Sequence, residues 1–463
     1  IVWERLVNGN WGALTTGGGT TISTNSTSST LTLANIAASQ AGTYRYRLPS
    51  IGFISANFGI NVTSRRIVYV DQNVAASGNG ATWGTAFKTI DAAMGLADPA
   101  IEVRVAAGNY TPGMLAIRPG FLFRGGYPAT GSAAERNVRN PAAHLTRLNG
   151  TNILRADGTN KIYDDNTGFD GFTFTPTRSF SLSITRGSTL FFRNCVFADL
   201  PAQSTRSGAV YVDFGSNVRF EDCVFRHNRD VVITVEQNSS VRLVRAHAFE
   251  NNRLLAAGYL GSVNVEDSIF EDNATPANAY LFDLNNTSSN LEQLPGPSVI
   301  TRSRFTENSG ALFLLWGPSE ITDSLFHDNT AQLADIRFAT VFRHLTIADN
   351  TVQRVNNASV PLIRHLDGEF ELSNSILWNN RSAGSGDSIE IQQIKRNGGT
   401  FLVRNNLIEG FSTFGGFDNV SSAPLFAGQT PGAAEFYELL PQSPAVASGL
   451  ASATTLFDLT GGS

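Results

Sequence analysis

Eight segments of the chain repeat one short pattern: a small residue, any residue, a bulky apolar residue, two more residues, then usually asparagine. They are CVFRHN (223–228), AFENN (248–252), SIFEDN (268–273), SRFTEN (303–308), SLFHDN (324–329), LTIADN (345–350), SILWNN (375–380) and the degraded NLIEGF (406–411). CVFADL (195–200) is an earlier copy without the asparagine. The bulky residues Phe197, Phe225, Phe249, Phe270, Phe305, Phe326, Ile347, Leu377 and Ile408 lie 28, 24, 21, 35, 21, 21, 30 and 31 apart. A recurrence every 20–50 residues marks stacked structural units, because no single unit can bury its apolar face alone.

The frame around each copy is extended chain. SNVRFEDCVF (216–225) and GSVNVEDSIF (261–270) alternate apolar and polar residues, the period of a strand with one buried face. Val218, Phe220 and Phe225 do not share one face of an unbroken strand, so a bend is expected near Glu221 and Asp222. A second strand flanks most copies, as in VVITVE (231–236) and ALFLLW (311–316). Short strands without helices in a repeat of this length predict a right-handed parallel β-helix of roughly 12 coils. The longer spacings would be coils with loops bulging out at 285–297 and 381–399. Strands of adjacent coils lie about 4.8 Å apart, so like residues stack. Phe225, Phe249, Phe270, Phe305 and Phe326 are expected to form an interior ladder. Asn228, Asn273, Asn308, Asn329, Asn350 and Asn380 are expected at a turn, with left-handed backbone and side-chain amides bonding from coil to coil.

Composition narrows the partners. Net charge is −5, charged residues are 16%, and no basic block occurs, which argues against nucleic acid or an anionic membrane. No apolar run reaches the length of a membrane-spanning helix. Cys195 and Cys223 fall at the same position of successive coils. They would be stacked buried thiols or an inter-coil disulfide. His144, His227, His247, His327, His344 and His365 make no metal-ligand spacing. His227 and His327 lie at the turn and are expected to be exposed.

Other stretches carry resemblances. Trp3, the strand at Leu31 and Leu33, and the run Ser39-Gln-Ala-Gly-Thr-Tyr44 resemble an immunoglobulin-like domain, the last as a tyrosine-corner segment. Tyr46 stands where such domains often carry cysteine. The likeness begins at the third strand, which implies that a preceding segment or a neighbouring chain supplies the first two. IVYVD (67–71), GNGATWGTAFKTIDAAM (78–94) and IEVRVAAGNY (101–110) resemble the opening of bacterial secreted parallel β-helix proteins. There a strand and a short helix cover the raw end of the solenoid. Helical spacing of Phe87, Ile90, Met94 and Leu96 predicts that helix over 86–97, capped by Thr82 or Thr85. LPQSPAVASG (440–449) and DLTG (458–461) resemble the closing segment of the same proteins. The repeats look like the Phe-x-x-Asn repeats of polymorphic outer-membrane adhesins. The expected organisation is an all-β chain: a partial immunoglobulin-like domain (1–63), a linker strand and capping helix (64–100), and the β-helix (101–463).

Candidate chemistry is sparse. Asp272, Glu307, Asp328 and Asp349 precede the turn asparagine in successive copies and would stack one coil apart. They form a solvated acidic stripe, a ladder that a calcium ion bridges, or a catalytic acid pair. Trp316 and Trp378 are candidates for stacking on sugar rings. No family-specific catalytic motif appears. These features predict an extracellular structural or adhesive protein at a cell surface, associating with itself, with other surface proteins or with glycans, and needing no cofactor beyond possible calcium. Self-assembly would run head to tail through the incomplete first domain. The rivals are a polysaccharide lyase or glycoside hydrolase on this scaffold, and a carbohydrate-binding protein without turnover.

Overall fold

The computed structural model describes all residues except 8, 18–19, 25–28, 34–39, 61–64, 99, 160, 162, 164–165, 204–206, 286–295, 355–357, 413–415, 429–436, 447–448 and 450–463. Ser39, most of the expected loop at 285–297, and DLTG (458–461) lie outside the described residues. The chain divides into two units, Ile1–Arg66 and Ile67–Ser463.

In the first unit, Val2–Val7, Asn10–Ala13, Gly42–Leu48, Phe53–Ile54 and Phe58–Ile60 form one antiparallel sheet, and Thr20–Thr24 pairs with Ser29–Leu33. Glu4 is buried and is held by Arg45 at 2.8 Å and Arg47 at 2.7 Å. On the alternate face, the Trp3 and Tyr46 rings meet at 5.4 Å. Tyr44 is buried, and its hydroxyl donates to the Gln40 carbonyl at 2.5 Å.

The second unit is a right-handed parallel β-helix built from sheets of 13, 12 and 11 strands. One coil shows the plan. Asn217–Glu221 lies on the first face, Val224–Arg226 on the second and Val231–Val235 on the third. Each strand pairs in parallel with its equivalent one coil away. Alternation does the sorting: Val218, Phe220, Phe225, Ile233 and Val235 point inward and are buried.

The repeat pattern records two bends. Asp222 (φ 54) and His227 (φ 55) adopt left-handed backbone on either side of the three-residue strand Val224–Arg226. The residue after each, Cys223 or Asn228, turns its side chain inward and is buried. The left-handed residue of the second bend is therefore the one before the asparagine, not the asparagine itself. The asparagine is spent on hydrogen bonds. Asn308 Nδ2 donates to Phe270 O and to Asn329 Oδ1, both at 2.9 Å, while its own Oδ1 accepts from Asn273 Nδ2 at 2.9 Å. The chain of amides runs unbroken through Asn228, Asn251, Asn273, Asn308, Asn329, Asn350 and Asn380, and ends on Gln393 Oε1. It satisfies carbonyls that a sharp bend removes from the sheets.

Aromatic stacking follows register. On the second face the Phe270, Phe305 and Phe326 rings stack at 4.7 Å per step. Phe174, Phe197 and Phe225 make a second run at 4.9 and 5.3 Å. Phe249 does not belong to this ladder. Phe225 pairs with Ala248, and Ala248 with Phe270, so the inward residue of that coil is Ala248 and its turn residue is Asn251. Phe249 faces outward, half-buried, with its ring 4.9 Å from that of His247. A further phenylalanine column, Phe123, Phe169, Phe192 and Phe220, lines the first face.

Cys195 and Cys223 stack in the core as free, buried thiols. In later coils serine takes their position and ties the first bend, as where Ser268 N donates to Ser303 Oγ at 3.2 Å. The covering helix is shorter than its spacing predicted, Ile90–Met94, with Thr89 as its cap. Thr82 caps a separate 3₁₀ turn, Trp83–Thr85. Phe87 instead bridges in parallel to Val70, which takes it out of the helix. Phe87, Met94 and Leu96 still pack against the core.

Candidate functional site

The acids of the second bend do stand in one column. Asp272, Glu307, Asp328 and Asp349 all have left-handed backbone, with φ between 50 and 58. The first three are exposed and Asp349 is half-buried. Left-handed backbone turns each side chain off the strand, and neighbours engage some of them. Asp328 meets His327 Nδ1 at 2.8 Å. Asp349 accepts from Asn379 Nδ2 at 2.6 Å and from the Tyr437 hydroxyl at 2.5 Å. Those contacts use oxygens that an ion would need. Among the described residues no three His, Cys, Asp or Glu side chains converge as a metal-holding group.

His227 is partly exposed, between Asp199 and Glu250. His327, in contrast, is buried at 2% exposure. It sits on the strand Leu325–His327, not in the turn, and a C-terminal segment covers it. In that segment Phe426 bridges to Leu439, and Tyr437 packs over Leu325 and Ala348. Burial lowers the pKa of His327 more than its contact with Asp328 raises it.

The two tryptophans do not form one platform. Trp316 follows the third-face strand Ser309–Leu315, is 42% exposed, and lies under the Arg337 guanidinium at 4.9 Å. Trp378 ends the second-face strand Ile376–Trp378 and is half-buried.

Three polar arrangements escaped the sequence reading. The first runs along the first bend. Asp222, Arg245, Asp267, Arg302, Asp323 and His344 succeed one another in its left-handed position. Arg245 clasps Asp222 at 2.6 and 2.8 Å, Arg302 clasps Asp267 at 2.7 and 3.1 Å, and His344 meets Asp323 at 3.2 Å. The Arg245 guanidinium holds Asp222 below the usual carboxylate range. The alternation of sign at a fixed place in the repeat was the available signal. The second centres on Asp335, fully buried on the third face. It takes hydrogen bonds from Gln332 Nε2 at 2.6 Å, the Tyr280 hydroxyl at 2.6 Å, and Arg364, whose Nε lies at 2.7 Å.

The third lies where the third face meets the third bend. Register sets Asp213 beside Glu236, one coil apart, because Val212 pairs with Val235. The Tyr211 hydroxyl lies 3.0 Å from Asp213 Oδ2 and 3.0 Å from Glu236 Oε2. Asp213 is buried; its Oδ1 accepts from Phe214 N at 2.8 Å, and Gln237 Nε2 reaches Oδ2 at 3.4 Å. Burial, then the two flanking carboxylates, raises the Tyr211 pKa, so the phenol keeps its proton. Around this group Phe180, Phe214 and Tyr259 are exposed, at 43, 51 and 49%. Phe180 meets Tyr211 edge to face at 4.7 Å.

Comparison with known proteins gives the fold a counterpart. No curated protein matches the chain. Among solved structures, the pectate lyase Pel9A is similar at 14% identity and a TM-score of 0.33, over 86% of this chain and 95% of that one. A complex of XylC with xylose is similar at 9% identity and a TM-score of 0.43, over 77% and 86%. PfbA, a surface adhesin of Streptococcus pneumoniae, is similar at 12% identity and a TM-score of 0.34, over 73% and 93%. Residues 140–293 match the model of the right handed beta helix region.

Proposed function

We propose that this chain is an extracellular structural or adhesive protein of a cell surface, and that its β-helix serves as a stiff scaffold. The observation that carries the reading is how completely each coil is tied to the next. The amide chain from Asn228 to Gln393 crosses coil after coil inside. Outside, Glu221, Glu266 and Glu371 are each gripped by arginines of neighbouring coils. Glu221, Glu266, Glu371 and the buried Asp335 are thus occupied in holding the stack. The first unit is read as part of an immunoglobulin-like sandwich, with sheet edges that suit strand addition from another copy.

Sedimentation of the whole chain over a wide concentration range tests the assembly. Concentration-dependent association through the first unit is expected; a chain that stays monomeric while that unit remains folded overturns it. Release of reducing or unsaturated ends from neutral or acidic polysaccharides would overturn the non-catalytic reading. Calcium on the second-bend acids is a separate proposal. Asp272 and Glu307, one coil apart, are its best-placed pair, and a calcium-dependent rise in Tm that D272N removes is its check.

A further inference from the structure

We infer that the corner built by Tyr211, Asp213, Glu236, Phe214 and Tyr259 binds a neutral polysaccharide chain lying along the solenoid axis. This rests on the adhesive reading and names its ligand class.

Two independent features point there. The first is a pair of carboxylates with acceptor capacity beside partly exposed surface. The Tyr211 hydroxyl lies within hydrogen-bond distance of both Asp213 Oδ2 and Glu236 Oε2, and Asp213 also takes the Phe214 N–H and a long contact from Gln237. A carboxylate has about four acceptor sites, so the single phenol proton fills only a small part of what the pair can accept. A ligand rich in hydroxyl donors completes the set. A uronate would instead bring a third negative charge to two already present, which favours a neutral chain.

The second is the aromatic surface. Phe214, Gln237 and Tyr259 occupy the same place in the third bend of successive coils, each two residues beyond the registered third-face residues Val212, Val235 and Ala257 and three before the registered first-face residues Asn217, Ser240 and Ser262. The two rings are thus two coils apart, about 10 Å along the axis. That matches the repeat of two pyranose rings in an extended 1,4-linked chain. Both side chains are about half exposed, although aromatic side chains gain most by burial. Flat apolar rings beside hydrogen-bonding groups are what the two sides of a pyranose ring require.

The test is calorimetric titration of the full chain with cellohexaose, mannohexaose and xylohexaose, and with hexagalacturonate as the acidic counterpart. At least one neutral hexasaccharide is expected to bind. Tyr259→Ala and Phe214→Ala, both surface changes, should each weaken it at least tenfold. Tyr211→Phe should weaken it comparably while the chain still unfolds cooperatively, with a modest fall in Tm from the lost hydrogen bonds. Absence of binding by all three neutral sugars overturns the proposal. So does binding that the three substitutions leave intact, binding that appears only on adding calcium, or tighter binding of hexagalacturonate. None of these outcomes alters the sedimentation result, so the scaffold reading stands or falls separately.

Discussion

At the scale of single residues, the inward asparagines carry more than their size suggests. Asn308 accepts from the backbone N and the amide of Asn273 and donates to Phe270 O and Asn329. Asn308→Ala strands the Asn273 donors and the Phe270 carbonyl in a dry interior, at a cost of about 2–4 kcal/mol. Asn308→Asp keeps the acceptor but sets a carboxylate against two oxygens. Its pKa rises on folding, so the folded state binds the extra proton, and the defect should shrink as pH falls. Denaturant titration at neutral and acid pH checks both. The sequence made these residues legible because the pattern repeats and because asparagine is a costly thing to bury without partners. It misplaced Phe249 for an equally physical reason. In AHAFEN (246–251) alanine stands at the inward place that other copies give to a bulky residue and phenylalanine comes one place later, and only the strand partners Phe225 and Phe270 decide which faces in.

At the scale of elements, the bends are where local preference and packing disagree. Asparagine and aspartate tolerate left-handed backbone; arginine and glutamate do so at a cost. Arg245 (φ 52) accepts that strain while clasping Asp222 and Glu221. Its side chain is about half exposed, so the ion pairs are worth no more than about 1 kcal/mol. Arg245→Asn should therefore be at least as stable as Arg245→Ala, since it relieves the bend that Ala leaves strained. Paired unfolding curves at low and high salt check this, the parent losing more stability than either variant as salt rises, since the other ion pairs remain in all three. The strands were legible from alternation. The helix over Ile90–Met94 was legible only as apolar spacing; the pairing of Phe87 with Val70 shortens it, and that is a long-range contact. The carboxylate pair around Tyr211 was invisible, because nothing in 211–236 announces which coil neighbours which.

For the whole molecule, stability is a sum over coils and the contacts between neighbours. Its titratable groups set how it responds to pH. Burial lowers the pKa of His327 and His365 from 6.5, so the unfolded chain binds protons first as pH falls below that value. Glu221 and Glu371 are raised by burial but lowered more by arginines, and Asp222 and Glu409 are lowered chiefly by Arg245 and Arg381. These carboxylates stabilise the fold above their ordinary range and cease to do so as pH drops through their depressed values. Both groups act in the same direction. Tm should decline in two stages, below about pH 6.5 and again in the carboxylate range. His365→Phe, placed between Phe370 and Phe401, should flatten the first stage.

The amide chain also has a direction. Every link from Asn228 onward donates toward the following coil, and the last donates to Gln393, at the end of the short helix Ile389–Gln393. A coil therefore presents an acceptor to what came before and a hungry donor to what comes next. Growth of the stack is polar, like a zipper with one slider, and Gln393 is its stop. Gln393 in turn donates to Glu409 O, which hands the final proton of the chain to ordinary backbone.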